Sequence, residues 1–385
     1  MAPYYACFIP ATIISVTNYE SYTSPLLSRP NAQSLVDESL SSSLLDAAGV
    51  AWHYGNPLAE QRAIESDLVM VDRSHRRVLA VTGEDAAEFL NNLLTQKLDD
   101  APDGFSAACL DLDIQGRILH QAYVTRSGDT FYLDMPSYVF PTFSDFLQKM
   151  IFWSKVDIEE VDLALLTLLG PDGSLHDETL ADLPTAFVRR VDWDGVERHD
   201  LAVPRAELRA VVDKLADRGV QLAGLMAFTA QRVRAGEPEM RADLDEKSIP
   251  HEAPRLISRA GRVRAVHLEK GCYRGQETVG RVENLGRSPR LLVLLQLDGS
   301  APEDPVPGSQ ITANGRKAGR LGTVVHDYDY GPIALALVKR SALSSEDLVI
   351  EGTSPVSATV DQDYIPEEDT TKAGREAIAK LRGQN

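Results

Sequence analysis

The chain has 385 residues, 43% hydrophobic and 25% charged, with a formal net charge of −18. This composition is that of an ordinary globular protein of two or three domains and excludes disorder as the main state. A sequence pI near 4.9 excludes a protein that coats nucleic acid or anionic membrane by bulk charge, and three scattered cysteines, Cys7, Cys109 and Cys272, exclude a disulfide framework or a zinc site built on cysteine pairs.

Residues 1–43 are rich in Ser, Thr, Tyr and Pro without a period and read as a loosely ordered extension. No Lys or Arg precedes Arg29, so the cationic start of a secretory signal is missing. No apolar run reaches the ~18 residues of a membrane span. With so few cysteines, a cytoplasmic, reducing location is expected.

From residue 44 the pattern is regular. Val78–Thr82 reads as a strand, and Ala86–Leu94 as a helix with Ala86, Phe89, Leu90, Leu93 and Leu94 at helical spacing. Residues 105–133 read as strands around turns at Gly116 and Gly128. Phe140–Phe152 reads as a helix, Leu163–Leu169 as a buried strand and Ala206–Arg218 as a helix stopped by Gly219. Strands and helices alternate without a βαβ period or a Gly-rich dinucleotide loop, which predicts α+β over a doubly wound sheet. Short β-prone runs at Leu291–Leu297, Gln310–Thr312, Gly322–Val325 and Ile333–Val338 predict a small barrel or sandwich. Residues 361–385 form a charged tail, with a surface helix expected over Thr371–Arg382.

Charge is unevenly distributed. Between Arg255 and Arg290 lie nine Lys and Arg against three acids, Glu269, Glu277 and Glu283. Inside this run stands Lys270-Gly271-Cys272-Tyr273-Arg274-Gly275-Gln276-Glu277, with Arg281 four residues on. A P-loop is excluded because Gln276 and Glu277 follow Gly275 where Lys and Ser or Thr are needed. A zincin helix is excluded because His251-Glu252 is followed by Ala253-Pro254-Arg255. Cations two residues either side of Cys272 predict a partly exposed thiol of lowered pKa.

The Lys-Gly-Cys-Tyr-x-Gly-Gln-Glu-x3-Arg pattern resembles the signature of the YgfZ family, folate-binding proteins related to the glycine-cleavage T-protein, an aminomethyltransferase. Asp72-Arg73-Ser74-His75 before Val81-Thr82-Gly83-Glu84-Asp85-Ala86, the segment Phe152–Val156, and Arg232–Pro238 before Ile249-Pro250-His251-Glu252 agree in order and spacing. The resemblance covers about residues 44–350. It implies a T-protein-like cloverleaf: two interleaved α+β subdomains over residues 44–285 and a small β-barrel over 286–360.

It also implies tetrahydrofolate, or a derivative, in a central pocket. The expected role is assistance to iron–sulfur client enzymes, including a radical enzyme that thiomethylates tRNA. Direct nucleic-acid or membrane binding and a resident metal are not expected. The alternative is a folate-dependent aminomethyl- or methyltransferase. The T-protein's acidic pair, however, is replaced by His120 and Gln121 after Gly116-Arg117-Ile118-Leu119. For the ligand, Phe228 and Trp153 are candidates to stack, Glu237 to accept hydrogen bonds from a pterin, and Arg232 and Arg234 to bind the glutamate carboxylates from one face of a strand. Cys272 is the candidate functional thiol, and Lys270, Gly271, Tyr273, Gly275, Gln276, Glu277 and Arg281 complete its motif.

Overall fold

The computed structural model describes residues 22–35 and 44–365. Cys7 and the helix expected over Thr371–Arg382 lie outside the described residues. Two five-stranded sheets and a closed six-stranded barrel carry the fold. The first sheet runs Phe187–Arg190, Glu197–Pro204, Leu163–Gly170, Val69–Asp72 and Gln221–Ala223, antiparallel except for its last pair. Its central strand, Leu163–Gly170, is buried at every position, as its unbroken apolar run requires.

The second sheet runs Ser106–Leu112, Ile118–Ser127, Thr130–Met135, Arg77–Thr82 and Asp157–Val161. The chain leaves the first sheet at Asp72, builds the second, and returns at Leu163, so the two α+β units are interleaved. The helix Leu208–Asp217 packs Leu208, Val211, Val212 and Leu215 against Leu166, Leu168 and Leu201 of the first sheet. The helices Ala86–Leu93 and Phe140–Lys149 cover the second, with Phe89, Leu90, Phe143 and Leu147 meeting Val124 and Leu133. The barrel closes Arg290–Leu297, Gly331–Lys339, Arg316–Asp327, Gln310–Ala313, Leu348–Ile350 and Val356–Val360.

Three expectations are corrected. Residues 22–35 are packed rather than loose: Leu26 is fully buried under the first sheet, Ser24 Oγ donates to Asp72 Oδ2 at 2.5 Å, and Gln33–Ser34 pairs with Ala51–His53. The helix expected to reach Phe152 ends at Lys149, and Phe152 turns the chain at φ 42°. Arg232 and Arg234 lie on a helix, Leu225–Ala235, not a strand. Nine of its eleven residues are buried, so no amphipathic period betrays it. The first residues of the tail are also anchored, since Tyr364 Oη donates to the Arg234 carbonyl at 2.8 Å.

Candidate functional site

Two cavities adjoin between the sheets. The first has about 650 Å³ of free space, part of it open to solvent, and is lined among others by Asp46, Trp52, Arg73, Arg76, Phe228 and Glu239. The second has about 560 Å³ and is lined among others by Arg189, Arg190, Trp193, Arg255, Val263 and Arg264. Gln121, Tyr123, Glu237 and Pro238 belong to both. Tyr123 Oη donates to Glu237 Oε1, so this pair forms the partition. Burial, reinforced by the Glu237 charge, pushes the Tyr123 phenol well above its ordinary value, so it stays a neutral donor. The side-chain amide of Gln121 makes no hydrogen bond among the described residues and faces both cavities.

Charges line the wall, and they are paired. Arg198, fully buried, donates to Asp200 through Nε at 3.1 Å and Nη2 at 2.9 Å and reaches Glu237 at 3.4 Å. Arg189 joins Asp200, at 2.7 Å, to Asp134, and Arg76 donates to Asp134 at 3.0 Å. Burial alone would raise the Asp200 carboxyl, but Arg198, Arg189 and Arg73 overcome it and hold it well below the usual range. Such a network costs desolvation and repays it only when complete, so it fixes the geometry of the wall.

The structure sorts the sequence candidates. Phe228, Arg232 and Glu237 line the first cavity. Phe228 is already packed: Trp193 stacks at 6.1 Å between centroids, with Arg73 at 4.2 Å and Arg198 at 5.1 Å over the ring. Arg232 is committed to Asp243 at 2.7 Å, the Glu237 carbonyl at 2.7 Å and Thr323 of the barrel at 2.6 Å. Arg234 turns away, pairing with Glu65 at 3.1 Å, because two residues on a helix are about 200° apart and cannot share a face. Trp153 is 96% exposed at the tip beyond the helix Phe140–Lys149 and lines neither cavity. Three lining groups, Trp52, Asp46 and Glu239, escaped the sequence reading. The only available signal was the repetition in Glu237-Pro238-Glu239.

His120 and Gln121 point to opposite faces of their strand, as alternation demands. Gln121 faces the cavities. His120 stacks on Phe143 at 5.0 Å, contacts Thr142 Oγ1 at 3.0 Å, and reaches the buried Asp111 at 2.8 Å.

The motif forms a separate region, and none of its residues lines either cavity. Lys270 Nζ is buried and donates to the carbonyls of Asn91 and Leu94, closing the C-terminal end of the helix Ala86–Leu93. Burial lowers its amine to about 8. Tyr273 packs in the core with Leu110, Leu256 and Val266. Gly275 has φ +82°, and a Cβ there would lie 2.6 Å from the Asp113 carbonyl, so only glycine starts the helix Gln276–Leu285. Arg274 donates to Asp111 at 2.6 Å and lies over Phe146. Both cations expected to serve the Cys272 thiol are therefore engaged elsewhere. Cys272, Glu277 and Arg281 are exposed.

The basic run is likewise answered by acids, most of them outside the run. Arg255, Arg262 and Arg264 pair with Asp192 or Asp194, Arg259 with Glu283, and Arg290 with Asp245 and Glu252. The excess seen along the sequence is thus largely neutralised in space. Among the described residues no group of three His, Cys, Asp or Glu is placed to hold a metal ion, and no helix is long and apolar enough to cross a membrane.

Comparison with known proteins agrees with this architecture. Residues 50–176 match the GCVT N-terminal domain family, and residues 290–363 match the CAF17 C-terminal β-barrel domain family. The chain is 25% identical over 283 residues to the tRNA-modifying protein YgfZ of Yersinia enterocolitica, covering 69% of this chain and 83% of that one. It is 25% identical over 335 residues to a protein of Arabidopsis thaliana whose name describes a chloroplastic transferase, covering 82% and 75% respectively. The glycine cleavage system aminomethyltransferase T of Bartonella henselae superposes with a TM-score of 0.71 at 20% identity, covering 88% of this chain and 96% of that one, which shows a common fold.

Proposed function

From a chain that is a GCVT-domain protein of the YgfZ type, we propose a protein that binds a reduced folate, tetrahydrofolate or a derivative, across the two adjoining cavities. In this reading it serves iron–sulfur enzymes as an accessory factor, with a tRNA-modifying enzyme among its clients. The observation that carries the reading is the shared partition. Glu237, paired with Arg198, offers a carboxylate to the ring N–H groups of a pterin. The free amide of Gln121 offers one donor and one acceptor beside it, and Trp52 supplies the apolar wall. In the second cavity, Arg190, largely solvent-exposed and paired with Glu197 at 3.4 Å, has donors left for a glutamate tail. The folate would supply a one-carbon carrier there; the chain's own groups bind and orient it.

The aminomethyltransferase reading is less favoured. The sheet presents Gln121 to the cavity where a carboxylate is needed, and His120 is turned to the other face. The exposed, cavity-remote Cys272 fits a role toward clients better than a role toward the ligand.

Calorimetry with tetrahydrofolate tests the proposal. Saturable binding at submillimolar concentration, weakened by salt and by Glu237→Gln, is expected. No saturable binding in that range refutes it. No transfer with the glycine-cleavage carrier protein is expected, and transfer above a carrier-only control would revive the alternative.

A further inference from the structure

The segment Phe152–Val156, singled out by its sequence, serves neither cavity. Phe152 and Trp153 project from it into solvent, 73% and 96% exposed, and neither ring makes an aromatic or cation–π contact among the described residues. Single apolar residues are common on surfaces, but adjacent large rings held out together form a contiguous apolar patch of the kind that marks interaction sites. The chain holds them there at a cost. Ser154 N–H donates to the Ile151 carbonyl at 2.8 Å and closes a four-residue turn, in which Phe152, the first central residue, has φ +42°. That backbone region crowds a bulky side chain and is normally left to Gly or Asn. A turn that only joined the helix Phe140–Lys149 to the next strand gains nothing from phenylalanine at this position. The turn is also pinned from below. Asp85 Oδ2 accepts from the Lys155 N–H at 2.7 Å, and Gly83, at φ +115°, admits the Lys155 carbonyl where a Cβ would collide with it.

The surroundings of this tip are acidic. Its two ammonium groups are already neutralised, Lys155 by Glu84 at 2.7 Å and Lys149 by Asp145 at 2.6 Å. On the edge strand that leaves the tip, Asp157 and Glu159 are exposed and form no ion pair among the described residues. The complement of an apolar tip beside uncompensated carboxylates is an apolar pocket rimmed by Lys or Arg. The tip is also tied to the cysteine motif. The helix Ala86–Leu93 begins at the tip, where Asp85 N–H donates to the Lys155 carbonyl, and ends at Lys270, which holds the Asn91 and Leu94 carbonyls. Such a helix is about 12 Å long. The helix Phe140–Lys149 makes the same connection: Arg274 of the motif lies over its Phe146, and the tip follows its last turn. An interface of standard size, about 800 Å² per partner, spans that distance.

We propose that the Phe152–Trp153 tip is the docking anchor for the client enzyme, and that the same partner face reaches Cys272. The inference rests on the accessory-factor reading and names the surface through which that factor meets its client. A protein that modifies tRNA carries cations for the phosphate backbone, and such a surface complements the carboxylates beside the tip. The same carboxylates repel an anionic lipid surface. Trp153 fills the partner's pocket, and the strained turn fixes its direction before the encounter.

The test uses the full chain, with the iron–sulfur tRNA-modifying enzyme of the same organism as the probe. Immobilised wild type should bind the enzyme, and affinity should fall about thirtyfold in Trp153→Ser and about tenfold in Phe152→Gly. Wild-type binding should weaken as salt is raised. Bound enzyme should slow alkylation of Cys272, and an unchanged rate overturns the shared face. Variants that bind as tightly as wild type overturn the docking and leave the accessory reading standing. No binding by wild type overturns the docking as well; if deleting the chain from cells also leaves client activity unchanged, the accessory reading falls with it. Loss of binding to phosphatidylcholine vesicles in Trp153→Ser, with enzyme binding unchanged, assigns the tip to a membrane instead. Melting curves separate docking from packing. Trp153→Ser should melt within about 2 °C of wild type. Phe152→Gly should melt at or above wild type, because glycine takes a positive φ without a clash. A fall of more than about 5 °C in either variant makes the tip a packing element and overturns the proposal.

Discussion

In the cavity wall, every buried charge beside Tyr123 has a fixed partner: Arg198 with Asp200, Arg189 with Asp134 and Asp200, Arg76 with Asp134. In the motif loop, the buried residues Lys270 and Tyr273 are anchored, but Cys272, Glu277 and Arg281 face solvent. Glu277 and Arg281 are one helical turn apart and form no ion pair among the described residues. The wall is pre-organised around a small molecule and turns inward. The loop is held rigid from behind and leaves its chemistry available outside. One region is therefore expected to govern ligand binding and the other dealings with partners, and substitutions should separate the two.

The largest effect is expected at Asp200. Asp200→Asn leaves Arg198 and Arg189 without their shared counter-charge, so urea unfolding should show a loss of about 3–5 kcal/mol. Lys270→Met comes next. It strips the Asn91 and Leu94 carbonyls of their donor and should cost about 1–3 kcal/mol. It should also remove a pH signature. The folded lysine sheds its proton near 8 and the unfolded one near 10.5, so the unfolded chain holds more protons between them and wild-type stability should rise with pH across that window. Trp52→Ala should leave the motif intact and weaken tetrahydrofolate binding about tenfold, with Trp52→Phe recovering part of the loss.

The smallest effect on fold and ligand is expected at Cys272. Cys272→Ser should change stability by no more than about 0.5 kcal/mol and leave folate affinity as it was, while failing to support client activity in cells. Alkylation with peptide mapping should label Cys272 in the native state. Cys109, fully buried and pushed up to about 12 by burial, should react only on unfolding. Equal rates at neutral pH would contradict the division between the regions.

Local pattern made much of the fold legible. The strand at Leu163–Gly170, the helix at Ala86–Leu93 and the barrel strands each carry a period or an apolar run of the right length. The helix Leu225–Ala235 was not legible because burial on almost every side removes the amphipathic signal. The site was legible only in part. Glu237 could be singled out between a glycine and a proline, but Asp46 and Glu239 become lining groups of one cavity only when the chain folds back across about 190 residues. The basic run misled for the same reason: its partners Asp192 and Asp194 are carried by the loop between Phe187–Arg190 and Glu197–Pro204, far away in sequence.

The central claim is that a reduced folate is held between the sheets while the cysteine motif stays free. Amide hydrogen exchange with and without saturating tetrahydrofolate tests it most directly. Protection should appear in residues 45–52, 121–123 and 225–240, with none at 270–277. Protection confined to 270–277, or none in the cavity segments under saturating ligand, would contradict it.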